Sequence, residues 1–197
     1  MLETLAIPKI LVYEEFDGHP IYRKGYKEVM LGLKKVEEIN MGTSTLQWFI
    51  TNIINRFLDR TMPQNYVFGS GELGLHITKN TNFSADVAIF RAGRLKVGFH
   101  SIKYSEVMPD VVVEVDIKID ESEYFQTEEE YCYKKTERLL KAGVERVIWI
   151  FSSSRRILVA DNLQKWEFIS WDLPFKVIDD YEINLWELML AGGFEIE

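Results

Sequence analysis

The sequence predicts an α/β protein built on one mixed β-sheet. Two apolar segments, residues 109–119 and 144–151, have the composition of buried strands, and a helical pattern at 127–142 separates them. A strand, a helix and a second strand in this order favour a crossover connection, which makes the two strands parallel neighbours. Residues 156–160 and 165–171 favour an outer meander or hairpin. The expected class is therefore α/β with parallel and antiparallel strands in one sheet.

The N-terminal part contains one clear helix and one ambiguous segment. Ser and Thr residues that can cap a helix precede apolar residues at helical spacing, which predicts an amphipathic helix at 43–58. The apolar pieces at 26–31 and 36–39 fit either a pair of strands or a helix and a strand. We expect a single domain, in which an extension at 1–42 packs on a core spanning 43–190.

Short strands and two more helices are predicted in the rest of the chain. Thr127 is followed by three glutamates, which is typical of a capped helix start with acidic residues in the first turn. Gly143 fits the C-cap of that helix. The remaining short elements are strands at 66–68, 74–78 and 83–90 and a terminal helix at 184–190.

The overall charge restricts the surfaces that could bind nucleic acid. The formal net charge is −8, whereas non-specific nucleic-acid binding depends mostly on phosphate contacts from Lys and Arg. DNA binding would need a locally basic face. The basic residues between positions 91 and 103 could form such a face, but they fit a solvated loop equally well. The candidates for such a face are Arg91, Arg94, Lys96 and Lys103.

Composition excludes several classes of protein. Hydrophobic residues make up 47% of the chain and charged residues 27%, which is typical of a globular rather than a disordered protein. No apolar run approaches the roughly 20 residues that span a bilayer, and the N-terminus lacks the pattern of a signal peptide. Cys132 is the single cysteine, so no internal disulfide and no Cys/His zinc site are expected. We therefore expect a cytoplasmic protein that does not contact membranes.

Charged residues inside predicted strands are the main functional signal. Glu114, Asp116 and Lys118 occupy every second position of one strand, which would put all three on the same face. A buried row of charges is expensive unless the charges are paired or bind a metal. Asp86 lies in the middle of a second predicted strand, where aspartate is depleted.

Asp86 and Glu114 together could form a site for a divalent ion. Mg²⁺ takes one or two carboxylates and otherwise keeps water or phosphate oxygens, and the carbonyl of Val115 could add a ligand. A structural explanation exists for each acid alone: Asp86 could lie at a strand end, and Glu114 could pair with a lysine.

Lys135 is the candidate amine for such a site. A helical rotation of about 100° per residue places it between Tyr131 and Leu139, on the side that should pack on the sheet. There it needs a partner, which Glu114 or Asp116 would supply; snorkelling to the helix edge is the alternative. Two acids, a divalent ion and an amine are what phosphodiester hydrolysis requires.

These segments, taken in order, resemble the Uma-two family of restriction-endonuclease-like proteins, which belongs to the PD-(D/E)XK nuclease superfamily. The resemblance is carried by Ala-Asp-Val-Ala-Ile-Phe at 85–90, Pro-Asp-Val-Val-Val-Glu-Val at 109–115, a lysine-bearing helix, and Lys-Ala-Gly-Val-Glu-Arg-Val-Ile-Trp-Ile at 141–150. It runs from about Gly42 to the terminal Asn-Leu-Trp-Glu-Leu.

The resemblance implies a restriction-endonuclease-like mixed β-sheet flanked by helices and an enzyme that cuts DNA, often as a homodimer, with Mg²⁺ or Mn²⁺. Asp86 matches the first metal-binding aspartate and Glu114 the acid of the motif. Lys135 matches a lysine that in this family has moved from the strand into the following helix.

The motif departs from the family after Glu114. The family usually continues Glu-Val-x-Ser-Pro, whereas here Glu114 is followed by Val-Asp-Ile-Lys. This creates a second literal match through Asp116 and Lys118. Lys118 could therefore replace Lys135, or could simply neutralise the extra acid.

Two functions from different classes remain open on the sequence alone. The first is a metal-dependent endonuclease that hydrolyses DNA phosphodiester bonds. The second is a binding or assembly module that keeps the fold without catalysis, which the acidic surface and the altered motif favour. A two-carboxylate glycoside hydrolase fits poorly, because acids on adjacent strands beside a lysine are badly placed to flank a sugar ring.

Overall fold

The computed structural model describes residues 7–39, 44–95, 102–122 and 124–194. Four α-helices are found in these ranges: α1 (Tyr26–Met30), α2 (Thr45–Thr61), α3 (Glu128–Lys141) and α4 (Leu185–Ala191). The strands are β1 (Val12–Phe16), β2 (His19–Tyr22), β3 (Tyr66–Thr78), β4 (Thr81–Arg91), β5 (Val111–Val115), β6 (Arg146–Phe151), β7 (Arg156–Ala160), β8 (Trp166–Ser170), β9 (Phe175–Ile178) and β10 (Tyr181–Ile183).

Most strands join one mixed sheet, as the sequence predicts. Its order is β2-β1-β4-β5-β6-β7-β8, and β3 also pairs with β4. The β5 and β6 strands run parallel, with Val113 opposite Ile148, while β4 runs antiparallel to β5. The hairpin of β7 and β8 is also present. The crossover from β5 through α3 to β6 therefore confirms the α/β class.

Helices cover both faces of the sheet. On one face, Tyr131 and Leu139 of α3 belong to the same buried cluster as Val147 and Trp149 of β6. On the other face, α2 and α4 pack on the alternate side chains of the central strands. The resulting order of layers is helix, sheet and helices, so any charged side chain that points from the sheet toward α3 is shielded from water.

The α3 helix has the ends that the sequence predicts. The hydroxyl of Thr127 accepts a hydrogen bond from the backbone N–H of Glu130, and three glutamates lie in the first turn, where the helix dipole favours negative charge. Gly143 follows the helix with φ 103°, a left-handed conformation that glycine adopts without strain. These local signals fix the start and end of the helix that carries Lys135.

The strand predicted at 109–119 is too long. The β5 strand ends at Val115, because Asp116 adopts φ 57° and its carboxylate accepts hydrogen bonds from the backbone N–H and the hydroxyl of Ser152. Glu114, Asp116 and Lys118 consequently do not share one strand face. The strands predicted at 66–68 and 74–78 are too short, because they form the single strand β3, with a register shift between Ser70 and Leu73.

Several N-terminal and C-terminal elements were not predicted. Residues 12–22 form the β1–β2 hairpin, which joins the main sheet where Glu15 lies opposite Asn82 of β4. The α1 helix agrees with the helical alternative at 26–31, but residues 36–38 form a 3₁₀ turn rather than a strand. The β9–β10 hairpin likewise was not foreseen.

The candidate basic face is largely neutralised in the described residues. Arg91 forms ion pairs with Asp110, Glu145 and Asp179, and Arg94 forms ion pairs with Asp110 and Glu145. Lys96 lies outside the described residues. In the described ranges no helix is long and apolar enough to cross a bilayer.

Asp110 of the Pro-Asp pair is a structural residue at the start of β5. Its carboxylate is fully buried, accepts a hydrogen bond of 2.7 Å from the backbone N–H of Arg91, and lies 2.7 Å from Nε of Arg94. Its carbonyl accepts the N–H groups of Glu145 and Arg146, which begin β6. Asp110 therefore ties β4, β5 and β6 together at the end of the sheet opposite to Glu114.

We predict that Asp110→Asn lowers the free energy of unfolding by about 2 kcal/mol, because it removes the buried charged acceptor that Arg91 and Arg94 contact from partly exposed positions. Denaturant unfolding measures this loss. Asp180→Asn is the control, since Asp180 is fully exposed and forms an ion pair with Lys176 at 3.4 Å. Equal stability of the two variants would show that Asp110 does not hold the strands.

Candidate active site at a fork in the sheet

The candidate site lies where β4 separates from β5. The ladder between these strands ends at the pair Val87 and Val113, and β4 then continues to Asn82, which pairs with β1. Side chains fill the gap between the diverging strands. We call five of them the charge cluster: Glu14 of β1, Asp86 of β4, Glu114 of β5, Lys118 after β5, and Lys135 of α3.

Lys135 is the centre of the charge cluster. Its side chain is completely buried, and its Nζ lies 2.7 Å from Oε1 of Glu14, 3.0 Å from Oε1 of Glu114 and 3.0 Å from the carbonyl oxygen of Ser84. Two of these contacts, to Glu14 and Ser84, are hydrogen bonds, and the third, to Glu114, is an ion pair. The structure therefore places Lys135 on the sheet side of α3, enclosed by protein atoms.

Glu14 is the residue that sequence reasoning missed. One oxygen, Oε1, accepts hydrogen bonds from Lys135 and from the backbone N–H of Ser84, and the other accepts the hydroxyl of Tyr131 at 2.7 Å. A signal existed in Val-Tyr-Glu-Glu-Phe, where strand alternation places Glu14 on the same face as Phe16. The sequence does not show that Lys135 is the partner of Glu14, however, so it gives no reason to assign this glutamate to a site.

Asp86 faces the cluster from the opposite strand. Its Oδ2 accepts a hydrogen bond of 2.8 Å from the backbone N–H of Val115, and its Oδ1 accepts one from Nζ of Lys118. Lys118 also lies 3.5 Å from Glu72. Extending the β4–β5 register by one residue puts Asp86 opposite Glu114. The structure thus brings together Asp86, Glu114 and both candidate lysines.

Asp116 is not part of this group. Besides its bonds to Ser152, its Oδ2 lies 3.3 Å from Nε2 of Gln47 in the first turn of α2. The same amide nitrogen donates to the carbonyl oxygen of Val115 at 3.2 Å. Asp116 therefore fixes the turn after β5, and Gln47 holds the carbonyl that was expected to be a metal ligand.

Burial and neighbouring charges shift the pKa values of the cluster. Desolvation, together with the charges of Asp86 and Glu14, raises the pKa of Glu114 to about 8, although Lys135 opposes this rise. Burial alone would lower the pKa of Lys135, but Glu114 and Glu14 more than offset it and the pKa is raised. The pKa of Tyr131 is also raised, by burial and by Glu14. Burial is therefore the main reason that Glu114 holds a proton more tightly than an ordinary glutamate does.

The charge cluster offers a divalent ion few protein ligands. No group of three or more His, Cys, Asp or Glu suited to a metal occurs in the described part of the chain. Oε1 of Glu114 is buried and lies 3.0 Å from the ammonium of Lys135, so an ion bound there would share this oxygen with Lys135. Asp86, Glu114 and the carbonyl of Val115 could hold Mg²⁺, which often uses only one or two carboxylates in proteins.

An open cleft of about 460 Å³ borders the charge cluster. Lys118, Gln47, Arg23, Lys24 and Ser44 are among the residues that line it. Lys118 is thus the candidate amine that a molecule in the cleft could reach, whereas Lys135 is enclosed.

One comparison with solved structures supports the fold. The chain is similar to a protein from Anabaena variabilis whose crystal structure is described as that of a candidate nuclease belonging to DUF820, with a TM-score of 0.62. The two share 15% sequence identity, and the alignment covers 91% of this chain and 90% of the other. No family model and no curated protein matches the sequence. At this identity the similarity concerns the fold, and it extends over nearly the whole chain.

We predict that Glu14→Gln lowers the free energy of unfolding by about 3 to 5 kcal/mol, because it removes a buried partner of Lys135. The double variant with Lys135→Met should cost less than the sum of the two single variants, by about 1 kcal/mol or more. Denaturant unfolding of all four proteins measures this coupling. Strictly additive losses would contradict the pairing, and Glu15→Gln controls for the adjacent carboxylate.

Stability should also depend on pH through Glu114. Because its folded pKa of about 8 exceeds the ordinary 4.5, the folded state binds the proton more tightly and stability falls as pH rises between these values. Relative to Glu114→Gln, the unmodified protein should lose up to about 1.4 kcal/mol per pH unit in this window. Parallel stability curves for the two proteins would show that Glu114 has an ordinary pKa.

Proposed function

We propose that this chain is a metal-dependent endonuclease that hydrolyses DNA phosphodiester bonds. The observation that carries the proposal is the pair of buried carboxylates, Asp86 and Glu114, at the point where two strands diverge beside an open cleft. The fold that the chain shares with a candidate nuclease supports the same reaction class. As in the resembled family, Mg²⁺ or Mn²⁺ would be the ion and the active form a homodimer.

The chain's own residues would divide the work as follows. Asp86, Glu114 and the carbonyl of Val115 would hold the ion, which when bound activates water and neutralises charge on the phosphate. Lys118 would offset charge on the phosphate in the cleft, because its side chain remains partly exposed. Lys135 would assist indirectly by holding the carboxylate of Glu114 in place.

A second function, a binding or assembly module without catalysis, is favoured by one observation. Both oxygens of Asp86 already accept hydrogen bonds, one from Val115 and one from Lys118. The carbonyl of Val115 is likewise occupied by Gln47. In such a module Lys118 would neutralise Asp86 permanently, and no divalent ion would enter.

Nicking of supercoiled plasmid by purified protein separates the two functions. With Mn²⁺ we expect nicking that Asp86→Asn and Glu114→Gln abolish, and that Lys118→Met lowers by about 10²- to 10³-fold. Glu15→Gln, one residue from the cluster, should retain activity. If nicking persists in Glu114→Gln, the activity comes from a contaminant. If no form nicks the plasmid, the result favours a binding or assembly module without catalysis.

A further inference from the structure

The cleft beside the charge cluster contains one cation without a matching anion. Its acidic residues are each engaged: Glu28 with Lys34, Glu38 with the N–H of Lys35, Glu72 with Lys118, and Asp120 with the N–H of Gly25. Its lysines are paired as well, since Lys24 contacts Glu128 and Lys118 contacts Asp86. Within the described residues Arg23 forms no ion pair, although it lines the same cleft.

Arg23 is nevertheless held in a defined position. Its backbone N–H donates to the carbonyl of Leu11, and it forms an isolated bridge with Ile119 next to Lys118. Its guanidinium carbon lies 5.1 Å from the ring centroid of Tyr13, as in a cation–π contact. Its Nε is buried and has no hydrogen-bond partner in the described chain. A buried donor without an acceptor costs free energy, and a ligand bound at this guanidinium could offset that cost.

The location of Arg23 connects it to the charge cluster. Tyr13 precedes Glu14 of the charge cluster. The centroid of the Tyr13 ring lies 6.0 Å from Nζ of Lys135, which also belongs to the charge cluster. The backbone N–H of Lys24 donates to the carbonyl of Lys118, so the segment bearing Arg23 lies directly beside the segment bearing Lys118. A molecule that contacts Arg23 in the cleft is therefore adjacent to the atoms that would perform the chemistry.

We propose that Arg23 binds a phosphate group of the DNA backbone that neighbours the bond to be cut. A guanidinium presents planar paired donors that match phosphate oxygens, and the contact with Tyr13 holds the group in place. This inference rests on the proposed function for the identity of the ligand. It would also explain how an acidic protein can bind DNA locally, because among the described residues of the cleft Arg23 is the cation without an ion pair.

DNA binding without cleavage tests this assignment. In the Glu114→Gln background and without divalent ions, binding of a short fluorescent DNA duplex is measured by anisotropy over a series of salt concentrations. Arg23→Gln should weaken binding about tenfold and reduce the slope of log Kd against log salt by about 1. Arg23→Lys should keep the slope and recover part of the affinity.

Arg56→Gln is the matched control, because Arg56 is exposed and lines a different cavity, beside Leu188 and Gly192; it should bind DNA unchanged. An Arg23→Gln variant with lower thermal stability but unchanged DNA affinity would make Arg23 purely structural and overturn the inference. Absence of DNA binding by every form at low salt would also overturn it. Arg23-dependent binding by a protein that never nicks DNA would reject the proposed function and the position next to a cut bond, but would keep Arg23 as a contact to DNA phosphate.

Discussion

The buried ammonium of Lys135 is the constraint on which the rest of the site depends. It comes from α3 and contacts β1 through Glu14, β4 through the Ser84 carbonyl, and β5 through Glu114. A charge without water must be surrounded by acceptors, so burial of Lys135 depends on contacts from all three strands. The sheet divides between β4 and β5 because side chains replace the backbone ladder there. The N-terminal hairpin is consequently part of the site, since it supplies Glu14.

The electrostatic balance of the charge cluster explains how a cation could enter it. Three carboxyl groups face two lysines, and burial raises the pKa of Glu114, so this group holds a proton more tightly than an ordinary glutamate does. In the proposed function, Glu114 would give up this proton and Asp86 would give up its contact with Lys118 when the ion is bound. Lys118 would then be free to face the substrate phosphate.

The sequence predicts the central architecture well because the relevant signals are local. The periodicity of α3, its capping residues and the apolar runs of β5 and β6 specify the parallel crossover and the side of the helix on which Lys135 lies. The end of β5 could not be predicted, since the left-handed conformation of Asp116 depends on Ser152, 36 residues away along the chain. Glu14 pairs with Lys135, 121 residues away along the chain, so composition and spacing carry no information on its role.

The most direct test of this account is the number of protons released when the ion binds. Calorimetric titration of Mn²⁺ into the protein at pH 7, in two buffers of different ionisation enthalpy, gives that number. Because Glu114 must lose its proton to become a ligand, the account predicts release of about one proton, which disappears in Glu114→Gln. Binding without proton release, or release that is unchanged in Glu114→Gln, would contradict the claim that the fork between β4 and β5 is a cation site.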